Sequence, residues 1–297
     1  MNRGMAASSC IALLGVLVAL GFAGLAAAKG GGNVELAAKP KNKTVAEIFT
    51  SDLFDLMFNH RNEPQTHAQG FYDHYSFITA AKTMEKEGFG VTGGETVQKR
   101  EIAAFLAHVA HETTCGYSAA KGGPYAWGLC YKEELSPPKI YCEDSFLYPC
   151  SKGVSYHGRG ALPLYWNYNY GPAAKYLKLD LMNHPEMVSE NATVAFQAAI
   201  FKWITPVKPK QPSPHEVMVN KWKPSRNDTL SFRSPGFGMT INIMAGDDEC
   251  GHGSDPKMED RIAHYNYFLN IIDKDVDPGL NLDCGSQGVL NPPNPVQ

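Results

Sequence analysis

Six cysteines, Cys115, Cys130, Cys142, Cys150, Cys250 and Cys284, constrain this chain of 297 residues more than any other feature. They matter because of the segment that precedes them. Arg3 supplies a short positive start, Ile11 to Ala26 is almost wholly apolar, and Ala26-Ala27-Ala28 offers small residues before Lys29. That is the charge, core and cleavage grammar of a secretory signal peptide. The other reading is a membrane anchor, since the apolar stretch approaches the length of a short span. Its Ala-rich end favours cleavage, and no later segment is apolar enough to cross a bilayer. Residues 1–28 are therefore expected to be removed, and the seventh cysteine, Cys10, leaves with them. An even set of cysteines in an oxidising compartment reads as three disulfides. Six cysteines allow fifteen pairings, and the sequence does not choose among them.

The remaining chain of about 270 residues can bury a full core. A net charge of −3 gives no reason to expect nucleic acid or an anionic surface as partner, and a neutral substrate suits it better. Asn42, Asn191 and Asn227 each open an Asn-X-Ser/Thr sequon, in keeping with a secretory route. Residues 29–44 are rich in Gly, Lys and Asn and read as a flexible lead-in, and the Pro- and Asn-rich residues 285–297 read as a disordered tail. Between them, residues 45–284 form the expected folded domain. Helical spacing of apolar residues marks segments near 45–59, 73–86, 97–113, 172–177, 192–204 and 258–272. From Cys115 to Tyr170 the sequence turns to Gly, Pro, Cys and aromatics, as loops and short strands lining a cleft would. The expectation is a mainly α, two-lobed, disulfide-stapled fold with a small irregular or β region.

The third helix carries the chemistry. Ile102, Phe105, Leu106 and Val109 define its buried stripe, and Glu112 continues that stripe at the C-terminal end. A carboxyl on an apolar face is rare unless paired or functional, and desolvation raises its pKa toward that of a general acid. The bland alternative is a frayed helix end at which Glu112 turns to water. Glu133 and Glu134 follow Trp127-Gly-Leu-Cys-Tyr, and two carboxylates across a glycosidic bond are the equipment of sugar hydrolysis. In the last helix, Met258, Ile262, Tyr265, Leu269 and Ile272 form the stripe, with Arg261 on its edge. That arginine calls for a carboxylate, most naturally from Asp247-Asp-Glu-Cys. His108, His111 and Glu112 crowd one turn, but the histidines stand three apart rather than the four of a zinc-protease helix, so no metal is expected.

These residues together resemble glycoside hydrolase family 19, the plant-type chitinases. The resemblance rests on His111-Glu-Thr-Thr, Tyr125-Ala-Trp-Gly-Leu-Cys-Tyr-Lys-Glu-Glu134, His157-Gly-Arg-Gly, Asn167-Tyr-Asn-Tyr-Gly171, Glu249-Cys-Gly-His-Gly253 and Asn281-Leu-Asp-Cys284, in order from about Phe54 to Cys284. It implies a lysozyme-like fold and inversion at the anomeric carbon, which needs the two carboxylates about 6.5–9.5 Å apart. Carried over by position, Glu112 is the general acid and Glu134 the general base. Glu249 and Arg261 support the acid, and Thr114, Tyr168 and Asn169 contact sugar. No cofactor is implied. The implied partner is chitin or a chito-oligosaccharide, with other cell-wall glucan as a further candidate, bound by a secreted monomer in the extracellular space or cell wall. Nucleic acid is not implied, nor is a membrane once the signal is cleaved.

The chain departs from the family pattern in three cleft positions. Tyr165 replaces the serine that helps position the attacking water, Pro163 replaces a sugar-binding glutamine, and Ala245 stands where an asparagine usually contacts sugar. Filling the space of a water-positioning group with a phenol is expected to lower turnover by orders of magnitude. Thr66 replaces the family's partner for Cys130, and Cys115 replaces a glycine. The resemblance therefore implies a shifted Cys115–Cys130 bridge beside Cys142–Cys150 and Cys250–Cys284. These changes look like the plant chitinase-like proteins associated with cell-wall assembly. Several of those have also lost the general acid and are thought to hold polysaccharide without cutting it. This chain keeps both glutamates.

Overall fold

The computed structural model describes residues 42–291, which contain eleven α-helices. In chain order these are α1 (Val45–Ile48), α2 (Ser51–Met57), α3 (His74–Thr83), α4 (Glu95–Thr113), α5 (Asn167–Leu177), α6 (Met187–Glu190), α7 (Ala192–Ile204), α8 (Pro214–Met218), α9 (Arg226–Leu230), α10 (Phe237–Glu249) and α11 (Pro256–Ile272). Among the described residues, β structure is limited to two isolated antiparallel bridges, Glu133 with Arg159 and Arg159 with Leu164. Residues 1–28, read as a signal peptide, and most of the lead-in lie outside the described residues.

α4 is the axis of the molecule. Every residue from Glu101 to Ala110 has no exposed surface, so the helix is buried all round rather than along one stripe. Ala103, Ala104, Ala107 and Ala110 make this possible, because small side chains let neighbouring elements close on the faces that the apolar stripe leaves. The few polar groups on α4 are satisfied accordingly. Glu101 accepts hydrogen bonds from the Trp203 indole, the His215 ring and the Gly90 amide. α11 packs along α4, and α10 packs on α8 and α11.

Two apolar clusters flank the cleft. The larger gathers α1–α4, α10, α11 and one face of α7, with Phe54, Phe77, Phe105, Trp203 and Phe268 at its centre. The smaller gathers α5, α6 and Tyr156 around Val194, Ala198 and Phe201 on the opposite face of α7. One helix thus serves both lobes.

The segment expected as one helix near 45–59 breaks at Phe49–Thr50, because Thr50 caps a new helix by accepting from the Leu53 amide. The helix expected at 172–177 begins earlier, at Asn167. Residues 285–291, expected to be disordered, are packed. Gln287 is buried, Gly288 pairs with Ser231, and the Leu290 amide donates to the Asn242 side chain. Their polarity had suggested solvent, but a buried asparagine on α10 gives these backbone groups partners. The last three residues of the lead-in also dock: Asn42 donates to the Val91 carbonyl, and Thr44 caps α1. The disulfides are Cys115–Cys130, Cys142–Cys150 and Cys250–Cys284, as the family resemblance implied.

Candidate active site

Glu112 lies in the last turn of α4, where the buried helix reaches the cleft. Its Oε1 accepts a 2.7 Å hydrogen bond from Arg261 Nη2. The guanidinium is 2% exposed and forked onto Glu249, with Nε at 2.9 Å from Oε2 and Nη2 at 2.9 Å from Oε1. Its remaining nitrogen, Nη1, faces His108 Nδ1 at 3.1 Å. His108 therefore carries its proton on Nε2, which donates to Thr240, whose hydroxyl donates in turn to the Phe237 carbonyl. Burial and the Arg261 charge hold the His108 ring neutral. One charge on α11 is thus neutralised from α4 and α10 together, with every polar atom of the fork occupied.

This arrangement reverses one sequence expectation. Burial does push the Glu112 carboxyl up, but the charges of Arg261 and Lys202, the Arg261 hydrogen bond and the nearby His111 outweigh it and bring the group down to about 2. Lys202, on α7, was missed from the sequence because it sits in an apolar helix facing no recognisable motif. Its ammonium donates to the Pro163 carbonyl, and burial, offset in part by Glu112, lowers its pKa. His111 pairs with Asp260 at 2.6 Å, and Asp260 also meets His264. These two partners hold the Asp260 carboxyl below the usual carboxylate range against the opposing effect of burial. His108 and His111 therefore face different partners.

Across the cleft, the pair of glutamates divides. Glu133 turns into the smaller lobe, where its carboxylate accepts from Ser189 and lies near His157 and Arg159. Glu134 faces the cleft. Its amide donates to the Gly158 carbonyl, and its Oε1 accepts a 2.8 Å bond from the Tyr141 hydroxyl. That contact raises the Tyr141 pKa. The bridge of Glu133 with Arg159 sets the alternation that sends the two side chains opposite ways.

Glu112 and Glu134 line a single cavity of about 300 Å³ together with Thr113, Tyr131, Glu133, Pro163 and Tyr165. Tyr165 lines the same cavity, and burial followed by the charges of Glu134 and Glu112 pushes its phenol up to about 12. Its ring lies flat against Gly158, where a Cβ would come within 2.2 Å of the ring. An adjoining cavity of about 380 Å³ shares Pro163 and Tyr165 and adds Tyr168, Asn169, Lys202 and Met244. Thr114 stands apart from both cavities, and its hydroxyl accepts from the Gly116 amide. Ala245 marks a kink, with non-helical φ −150° and ψ 25°, and its neighbours Met244 and Asp247 reach the second cavity.

Comparison with known proteins identifies the family. The family model described as chitinase class I matches residues 48–284. Chitinase-like protein 1 of Arabidopsis thaliana is 52% identical over 256 residues, covering 84% of this chain and 80% of its own. Endochitinase 3 of Nicotiana tabacum is 44% identical over 247 residues, covering 83% of this chain and 72% of its own. Among solved structures, a bacterial family 19 chitinase superposes with a TM-score of 0.63 at 34% identity, covering 80% of this chain and 100% of that one. A class IV chitinase from Zea mays gives 0.62 at 30% identity, covering 82% of this chain and 100% of that one. With its fold, its three disulfides and nearly all of its folded length accounted for, the chain belongs to glycoside hydrolase family 19, the class I chitinase family.

Proposed function

We propose that this protein is a slow endochitinase that hydrolyses β-1,4-linked N-acetylglucosamine polymers with inversion. The observation that supports it is the shared cavity: Glu112 and Glu134 face one space from opposite lobes. Glu112 protonates the leaving oxygen, and Glu134 draws a proton from water on the other face of the sugar. The slowness has two physical sources. Glu112, held at about 2 by its cationic neighbours, carries its proton only in a small fraction of molecules at neutral pH. Tyr165, with Tyr141 already bonded to Glu134, occupies space that the attacking water needs. The reading also takes the protein as exported, with its sequons exposed at Asn191 and Asn227.

The same observations favour a second reading, in which the cleft retains wall polysaccharide without cutting it. One experiment separates them: incubation with N-acetylglucosamine hexamer, with products and their anomeric form followed in time. Hydrolysis predicts shorter oligomers released as the α-anomer, abolished in Glu112→Gln and accelerated at least about tenfold in Tyr165→Ser. An intact hexamer that still binds by calorimetry would reject the enzyme and leave the retaining protein.

A further inference from the structure

The loop closed by Cys142–Cys150 combines a firmly held base with an exposed tip. At the base, the fully buried Asn167 accepts from the Glu143 amide and donates to the carbonyls of Glu143 and Tyr148 at 2.7 Å each. The Tyr148 ring lies on Gly171, so close that a Cβ there would meet it at 2.0 Å. At the tip the pattern inverts. Phe146 is 100% exposed and Leu147 74%, whereas most phenylalanines of the chain are fully buried. A loop fastened by a disulfide and three hydrogen bonds has no freedom to fold these side chains back onto the protein.

Placement gives the tip a purpose. Asn167, which holds the loop, opens α5, and the next two residues, Tyr168 and Asn169, line the second cleft cavity. Tyr168 stacks on Trp166 with centroids 5.6 Å apart and remains 40% exposed. Aromatic side chains thus stand both in the cleft, at Tyr168, and at the base of the loop, at Tyr148. We propose that Phe146 and Leu147 form a surface-binding element that rests on the flat faces of an insoluble β-linked polysaccharide, beside the strand held in the cleft. The proposal deepens the polysaccharide reading above and rests on it for the choice of partner. Pyranose rings present C–H faces, and an aromatic ring laid on them removes apolar area from water on both sides. Glu143 and Asp144 precede the tip in the same loop, which sets it against an anionic lipid surface but not against a neutral polymer.

The test measures partition of the full-length protein between solution and insoluble chitin powder. In the double variant Phe146→Ser/Leu147→Ser, partition is expected to fall about tenfold. Hexamer affinity by calorimetry and the thermal midpoint should stay unchanged, because neither side chain lines a cavity or packs in a core. Phe146→Trp, with a broader face, is expected to raise partition onto the powder. Unchanged partition in the double variant overturns the proposal. So does a parallel loss of hexamer binding, which would make the tip part of the cleft, and so does a tip-dependent sedimentation with phosphatidylcholine vesicles in place of chitin. If the parent protein ignores the hexamer yet partitions through the tip, the cleft reading fails and this one stands.

Discussion

Arg261 is the residue on which the acid side of the cleft depends. It is 2% exposed, and it satisfies Glu249 and Glu112 at once. Replacing it with methionine keeps much of the volume but strands a buried Glu249 carboxylate. Removal of one partner from such a pair costs about 3–5 kcal/mol, which urea unfolding of Arg261→Met would register as a lower midpoint with an unchanged slope. Arg261→Lys should recover only part of this, since an ammonium cannot reproduce the fork. A stability equal to the parent in both variants would mean that Glu249 finds another donor. At this scale the apolar stripes drew attention to Glu112 and Arg261, with a frayed helix end left open for Glu112, whereas Glu249 was singled out only by the family resemblance. The stripe on α4 gave the wrong sign for the Glu112 pKa, since desolvation is visible in a periodicity and an approaching cation from another helix is not. Lys202 reaches Glu112 from another helix across 90 residues, and Tyr141, only seven residues from Glu134, sits in an irregular loop whose path no periodicity announces.

At the level of elements, α4, α7 and α11 were legible because their apolar residues recur at helical spacing over several turns. α10 was not. Gly238, Thr240, Asn242 and Gly246 interrupt its pattern, and it kinks at Ala245, so it shows no stripe although Phe237 to Ile243 are all buried. The first turn of α5 was missed because Asn167-Tyr-Asn-Tyr-Gly has low helical preference and is held by tertiary bonds to the Cys142–Cys150 loop. The loop 155–165 presents a further dependency. Tyr165 lies on Gly158, so Gly158→Ala should displace the phenol and destabilise the parent by about 1–3 kcal/mol. In a Tyr165→Ser background the same substitution has room and should be nearly neutral. A double-mutant cycle reads this directly, and purely additive effects would show that the ring moves freely off the glycine.

For the whole molecule, the acidic groups near α11 set the response to acid. Glu112 titrates at about 2 in the folded protein against an ordinary value of 4.5, a depressed carboxyl. Its contribution is therefore complete above about pH 4.5 and is lost as pH falls toward 2. Asp260 is shifted in the same direction. Stability should thus drop between about pH 4.5 and about pH 2, and Glu112→Gln should flatten part of that slope while Asp260 preserves the rest. Urea midpoints across that range check it, and an identical slope in the variant would mean that Glu112 is not depressed. The overall shape was legible as helical and two-lobed from composition and periodicity. The sharing of α7 between the lobes was not, because both its faces are apolar and the sequence does not say which cluster claims which face.

The fork on Arg261 also has an evolutionary consequence. Glu249 alone takes two of the guanidinium's contacts and is fully enclosed, whereas the Glu112 side chain is 27% exposed and adds a single one. A lineage that exchanges Glu112 for a neutral residue abandons proton donation yet leaves the arginine neutralised, so the scaffold survives the loss. Exchanging Glu249 offers no such retreat. On the proposed assignment of Glu112, the architecture lets chemistry be shed before structure, since the arginine keeps its Glu249 partner either way.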